Sequence, residues 1–264
     1  MREILYPPAQ ARSIGEVLET GVRIYRATAA GTMGYALLAA IAVELPYIDS
    51  LANGRPLPSV ALEGDTVRIN GTDAEWWGWY VAGTILALFL WSAMLLRQRA
   101  LAAGQAARTA KELRSAGATL STLIVSSAFA CVAVAAGLAL FVVPGVYLSA
   151  VVVPAPLAVV LLRKGPLESL VYGATLVRGH WWRTSVLSGA AAAVFIVLTA
   201  CLAALEAASA AFAHINDAQT LDTIAVVEGL IVTAVSMPSA TAVLLALLGD
   251  LMVRQGEAAG ARGS

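Results

Sequence analysis

Residues 141–148 read "FVVPGVYL", and their reading decides how many times the chain crosses a membrane. They lie inside a run without a single charge, from Ser115 to Leu162. A helix needs about 20 apolar residues to cross roughly 30 Å of hydrocarbon, so this run is far too long for one crossing. Pro144 removes a helical N–H donor, and Gly145 permits a tight reversal. The run is therefore expected to fold back on itself there, as two antiparallel helices with almost no exposed loop.

Working outward, other charge-free runs occupy Ala27–Val43, Trp76–Leu96, Thr184–Leu205 and Gly229–Gly249. The chain of 264 residues is 59% hydrophobic and only 13% charged. A soluble domain carries about a quarter charged residues. The expectation is an all-α integral membrane protein with six transmembrane helices, at about 28–48, 76–96, 119–142, 146–162, 183–206 and 225–249. Residues 1–254 form one membrane domain in this reading, and 255–264 a flexible tail. A cleaved signal peptide is not expected, because polar and amphipathic residues precede the first apolar run.

The charges are sorted along the chain. If six spans put both termini on one side, 15 of the 17 basic residues fall on that side. They are Arg2, Arg12, Arg23 and Arg26; Arg97, Arg99, Arg108, Lys111 and Arg114; Arg163, Lys164, Arg178 and Arg183; and Arg254 and Arg262. Only Arg55 and Arg68 fall opposite, among Asp49, Glu63, Asp65, Asp73, Glu75, Asp217 and Asp222. Lysine and arginine excess marks cytoplasmic loops. The chain is thus expected in the bacterial cytoplasmic (inner) membrane, multi-pass, with both termini cytoplasmic. Trp76, Trp77 and Trp79 open the second span, Trp91 lies towards its inner end, and Trp181 and Trp182 open the fifth. These are interfacial anchor positions.

Amphipathic helices are expected on the cytoplasmic surface at about 13–26, 104–116 and 166–178. The first begins "SIGE", where Ser13 and Glu16 have capping-box spacing. In the third, Pro166 suits a first helical turn. Leu167, Leu170, Val171, Ala174 and Val177 make its apolar stripe. Shifted by 152 residues, Glu16, Leu18, Gly21 and Arg26 match Glu168, Leu170, Gly173 and Arg178. This suggests an internal repeat: an interfacial helix feeding a span, used three times.

Catalytic signals are sparse. His180 lies in an interfacial stretch, with Glu168 a turn or more away, and His214 in an outer loop. Neither is expected in a water-excluded pocket where a general base finds its partner. No P-loop, zinc-protease or dinucleotide-binding string occurs. Cys131 and Cys201 lie far apart in apolar runs and read as buried small hydrophobes rather than a disulfide or metal pair. No metal or other cofactor is expected, and the zero net charge argues against nucleic acid.

Two sets of candidate site residues follow. Arg163, Lys164, Arg178, Trp181, Trp182 and Arg183 form a lipid interface suited to anionic headgroups. Glu44, Glu206 and Glu228 lie close to outer span ends and form a candidate intramembrane acidic site, since ionisable groups within spans are costly and often functional. Pro154, Pro156 and Pro238 are expected to break helices near mid-membrane.

The stretch from Pro144 to Ser185 also resembles the signature of a family of bacterial and archaeal multi-span proteins. That family includes the membrane domain attached to some glycerophosphodiester phosphodiesterases and the YciC-like inner-membrane proteins. The residues that carry the resemblance are Pro144, Gly145 and Tyr147; Gly165 to Leu170; and Arg178, Gly179 and Trp181 to Arg183. "IGEVLETGVRIYR" is similar to the family's opening helix. The resemblance implies a six-span helical protein of undefined function, with no phosphodiesterase chemistry, which belongs to a separate soluble domain. The function expected is a non-enzymatic membrane protein serving envelope or membrane homeostasis, or a lipid-interacting partner of a membrane complex. Its partners would be the bilayer, anionic lipid headgroups, and another membrane protein or a second copy. The alternative is a transporter or permease-like subunit for a small molecule, lipid or peptide.

Overall fold

The computed structural model describes residues 4–63, 66–213 and 217–262, almost all of them helical. Six helices are long and apolar enough to cross a membrane. The chain is thus compatible with a multi-pass membrane protein. In order, the helices are α1 (Ile14–Ala52), α2 (Ala74–Ala102), α3 (Thr109–Leu140), α4 (Val142–Val152), α5 (Pro154–Leu162), α6 (Pro166–Val177), α7 (Trp181–Ala213) and α8 (Ala218–Arg262). Between α1 and α2 stands an antiparallel ribbon, β1 (Ser59–Glu63) and β2 (Thr66–Asn70), with Ser59 opposite Asn70 and Val60 opposite Ile69.

Two expected interfacial helices are not separate elements. Residues 13–26 open α1 and run on into the first span, and 109–116 do the same in α3. Nothing in "RATAAG" (26–31) breaks a helix, and the Thr28 hydroxyl bonds back to the carbonyl of Ile24 at 2.7 Å. Between α6 and α7 the outcome differs. Gly179 takes a φ of +82°, a left-handed conformation that ends the helix. Hence α6 stands alone, as expected.

The reversal between α3 and α4 also lies earlier than expected. Phe141 is extended (φ −164°, ψ 152°), and α4 starts at Val142. Pro144 thus sits in the first turn of a helix, where its missing N–H costs nothing. Pro154 does interrupt the fourth span, at Val153, but Pro156 lies within α5 and Pro238 within an unbroken α8. The carbonyl of Pro238 accepts a bond from the Gln98 side chain at 3.0 Å, tying α8 to α2. Trp91 Nε1 adds a second tie, to the Thr241 hydroxyl at 3.1 Å. Residues 255–262, expected as a loose tail, continue α8.

Packing follows a ring in which α1 lies between α2 and α8, α3 between α2 and α4, and α7 between α8 and α4. The short α5 fills the middle of the basic end. Leu157, Ala158, Val159 and Val160 are all buried there, against residues of α2, α3 and α8. The N-terminal arm completes this core: Leu5 donates its N–H to the Ala102 carbonyl (2.9 Å), and Tyr6 is buried beside Gly249. Further along α1 and α2, contacts are made by Ala36, Ala39, Ala42, Ala87 and Ala93, small residues that let helices approach closely. By contrast, residues 192–197 of α7 are exposed on every face.

One contact shows that the α3–α4 hairpin is not a simple upright pair of spans. Tyr147, expected near the outer end of span four, has its ring 6.1 Å from that of Trp181, expected at the inner end of span five. The two rings therefore share one level of the molecule, which the expected placement of the two spans does not allow. In a background of Cys131→Ser and Cys201→Ser, Tyr147→Cys with Trp181→Cys should cross-link in native membranes through a short bifunctional reagent. Absence of that cross-link, with both cysteines reactive, would contradict this shared level.

Candidate functional site

The densest polar chemistry lies at the basic end. Asp250 is fully buried on α8 and accepts three bonds: from the Arg12 backbone N–H (2.7 Å), Arg183 Nε (2.9 Å) and Arg254 Nε (2.9 Å). Both guanidinium groups also donate to the Arg12 carbonyl, Arg254 at 2.7 Å. One carboxylate thus joins the N-terminal arm, the start of α7 and the end of α8. A charge buried this way persists only when paired and hydrogen-bonded.

A second buried carboxylate, Glu112, joins α1, α2 and α3. It accepts from Arg97 Nε (2.9 Å), the Tyr35 hydroxyl (3.2 Å) and the Arg108 backbone N–H (2.9 Å). The Arg97 guanidinium lies 4.8 Å from the centre of the Tyr35 ring, which adds a cation–π contact. Neither carboxylate was foreseen. The signal for Asp250 was its Arg254 partner four residues on, the spacing at which helical side chains meet.

The expected lipid-interface residues separate into two groups. Arg178 and Trp182 are exposed, as is Trp181, and Leu167, Val171 and Ala174 form an exposed stripe along α6. Arg163 is exposed and donates to the Ser115 hydroxyl at 3.0 Å. Lys164 pairs with Glu168 at 2.5 Å and lies over the Tyr172 ring. That ammonium, then the Gly165 N–H, holds the Glu168 carboxyl below its ordinary range. Arg183, however, is turned inward to Asp250 and does not belong to the outward face. The expected apolar stripe of α6 is also partly corrected, because Val177 is buried with Ser169 and Gly173 on the bundle side. Ser169 there meets Ser126 of α3, oxygen to oxygen, at 2.9 Å.

The acidic candidates lie on three helices, Glu44 on α1, Glu206 on α7 and Glu228 on α8. Glu44 is half-buried on α1, with its carboxylate against Gly229 of α8, where any Cβ would collide with it. Glu228 stands beside that contact on α8. Glu206 lies on α7, and its side chain is outside the described residues. His214 and Asp65 are outside them too. Glu168, turned to Lys164 and Gly165, offers His180 no carboxylate partner. Among the described residues, no three of His, Cys, Asp and Glu are grouped to hold a metal. Both cysteines are exposed rather than buried, on the outward faces of α3 and α7. Opposite the basic end, Arg55 is clamped by Asp49, Asp73 (3.1 Å) and Glu75 (3.1 Å), beside stacked Trp76 and Tyr80.

Comparison with protein-family models, with curated proteins and with solved structures finds no match to this chain.

Breaking a buried ion pair from one side costs about 3–5 kcal/mol. Asp250→Ala should therefore lower unfolding stability in detergent by about 3 kcal/mol, read as a fall in the thermal midpoint. A loss below about 1 kcal/mol would show that the cluster is not a structural tie.

Proposed function

We propose that this chain is a non-enzymatic protein of the bacterial cytoplasmic membrane, with both termini cytoplasmic, whose basic end engages anionic lipid headgroups. The supporting observation is the outward face of α6 and its flanks. Leu167, Val171 and Ala174 present an apolar stripe next to exposed Trp182 and Arg178, with Arg163 and Lys164 at the other end of the helix. A helix with that distribution lies in the interface plane, its apolar face among acyl chains and its cations among headgroups. Each basic residue near an anionic surface contributes about 1 kcal/mol. The sorting of 15 of 17 basic residues to this side favours the same orientation.

A transporter reading has one observation in its favour, the Glu44 carboxylate facing Gly229 within the α1–α8 contact. The apolar filling of the basic end by α5 weighs against an open path there. Lipid engagement, as a surface factor or as partner of a membrane complex, is the reading adopted.

Arg163→Gln, Lys164→Gln and Arg178→Gln combined should lower thermal stabilisation by phosphatidylglycerol nanodiscs relative to phosphatidylcholine nanodiscs, by about 3 kcal/mol in total. Arg183 is left untouched because it serves Asp250. An unchanged difference between the two lipids would overturn the proposal.

A further inference from the structure

The charge-free run from Ser115 to Leu162 is bounded by Arg114 at one end and Arg163 at the other. The fold brings these two ends back together. Arg163 donates to the Ser115 hydroxyl at 3.0 Å, beside Arg114 and one helical turn from Lys111. Lys111, Arg114 and Arg163 are all exposed, so three cations share one corner at the level where α3 enters its apolar run. Among the described residues none of the three forms an ion pair. Glu112, between Lys111 and Arg114 in sequence, is buried against Arg97, and Glu168 pairs with Lys164.

These charges do not stabilise the helix that carries them. Lys111 and Arg114 occupy the first two turns of α3, where the helix dipole disfavours a cation. Like charges three residues apart also repel. Beyond them the same face is apolar. Lys111, Ala118, Val125 and Val132 recur every seven residues, close to two helical turns, and share one side of α3 with Phe129. Ala118, Val125, Phe129 and Val132 are all exposed. We infer that this corner of α3 and α5 binds a glycerophospholipid with two phosphodiester groups. Its phosphates are shared among Lys111, Arg114 and Arg163, and its acyl chains follow Val125, Phe129 and Val132.

Charge complementarity selects that occupant. One phosphodiester offsets one charge and leaves two cations repelling each other. Two linked phosphodiesters bring two charges for a single loss of translational freedom. An acidic peptide would match the cations but not the apolar face that continues from them. The inference rests on the reading that the basic end lies among headgroups. It deepens that reading by naming the lipid class and by adding Lys111 and Arg114, which the α6 face does not contain.

Native mass spectrometry of the full-length protein, released from micelles titrated with cardiolipin, phosphatidylglycerol or phosphatidylcholine, tests this. Wild type should retain one cardiolipin about fivefold more tightly than phosphatidylglycerol at matched phosphate, the equivalent of one further charge contact. Lys111→Gln with Arg114→Gln should weaken cardiolipin retention about 25-fold, the equivalent of two surface cations. The charge-keeping pair Lys111→Arg with Arg114→Lys should retain cardiolipin as wild type does, which separates charge from folding. Lys164→Gln with Arg178→Gln, on the α6 face, should leave cardiolipin retention unchanged. Equal retention of cardiolipin and phosphatidylglycerol by wild type would overturn the inference, as would full cardiolipin retention in the Lys111→Gln, Arg114→Gln variant. Either result leaves the proposed function standing while phosphatidylglycerol is held in preference to phosphatidylcholine. Equal retention of all three lipids would overturn both.

Discussion

The structure depends on one buried negative charge. Asp250 lies where no water reaches it, and it is held there by the Arg12 N–H and the guanidinium groups of Arg183 and Arg254. Each donor that leaves weakens the hold on a carboxylate in a medium that does not solvate it. The N-terminal arm, the start of α7 and the end of α8 are therefore tied to one another. Once the arm is held, Tyr6 and Pro8 come to rest against Gly249, and Leu5 closes the end of α2. Glu112 does a parallel service for α1, α2 and α3 through Arg97 and Tyr35.

These two clusters set a gradient along the molecule. The basic end combines paired charges with a core of Leu157, Val159, Leu187, Leu245 and Leu248, and is tightly joined. Away from it, residues 192–197 of α7 are exposed, and the tip of the α3–α4 hairpin leaves Phe141 76% exposed. An end rich in cations and rigidly packed, continuous with helices whose outer faces are bare, suits a protein that meets headgroups on one side and acyl chains along its length.

Much of this was legible in the chain, because the period and length of apolar runs report directly on spans. The capping box at Ser13 and Glu16, the separate α6 and the six long helices all follow from local rules. The start of α4 at Val142 was misplaced because proline tolerates a first turn as readily as it ends a helix. Separate interfacial helices before spans one and three were expected from a change in polarity, but a helix ends only at a breaker. The ribbon at 59–70 has its own sequence signal, two five-residue segments on either side of Gly64 and Asp65. Arg183 shows the deeper limit. Charge counting places it on the cytoplasmic side, yet only the packing reveals that a buried Asp250 claims it first. Long-range pairs such as Arg97 with Glu112, or Tyr147 with Trp181, leave no periodic trace.

The central claim is that the tightly packed, cation-rich end faces the cytoplasm. Single cysteines at Gln105, between α2 and α3, and at Asn53, after α1, report the two ends from exposed positions. With Cys131 and Cys201 replaced by serine, a membrane-impermeant maleimide should label Gln105→Cys in inverted vesicles only and Asn53→Cys in right-side-out vesicles only. Labelling in the opposite sense, or of both positions from one side, would contradict it.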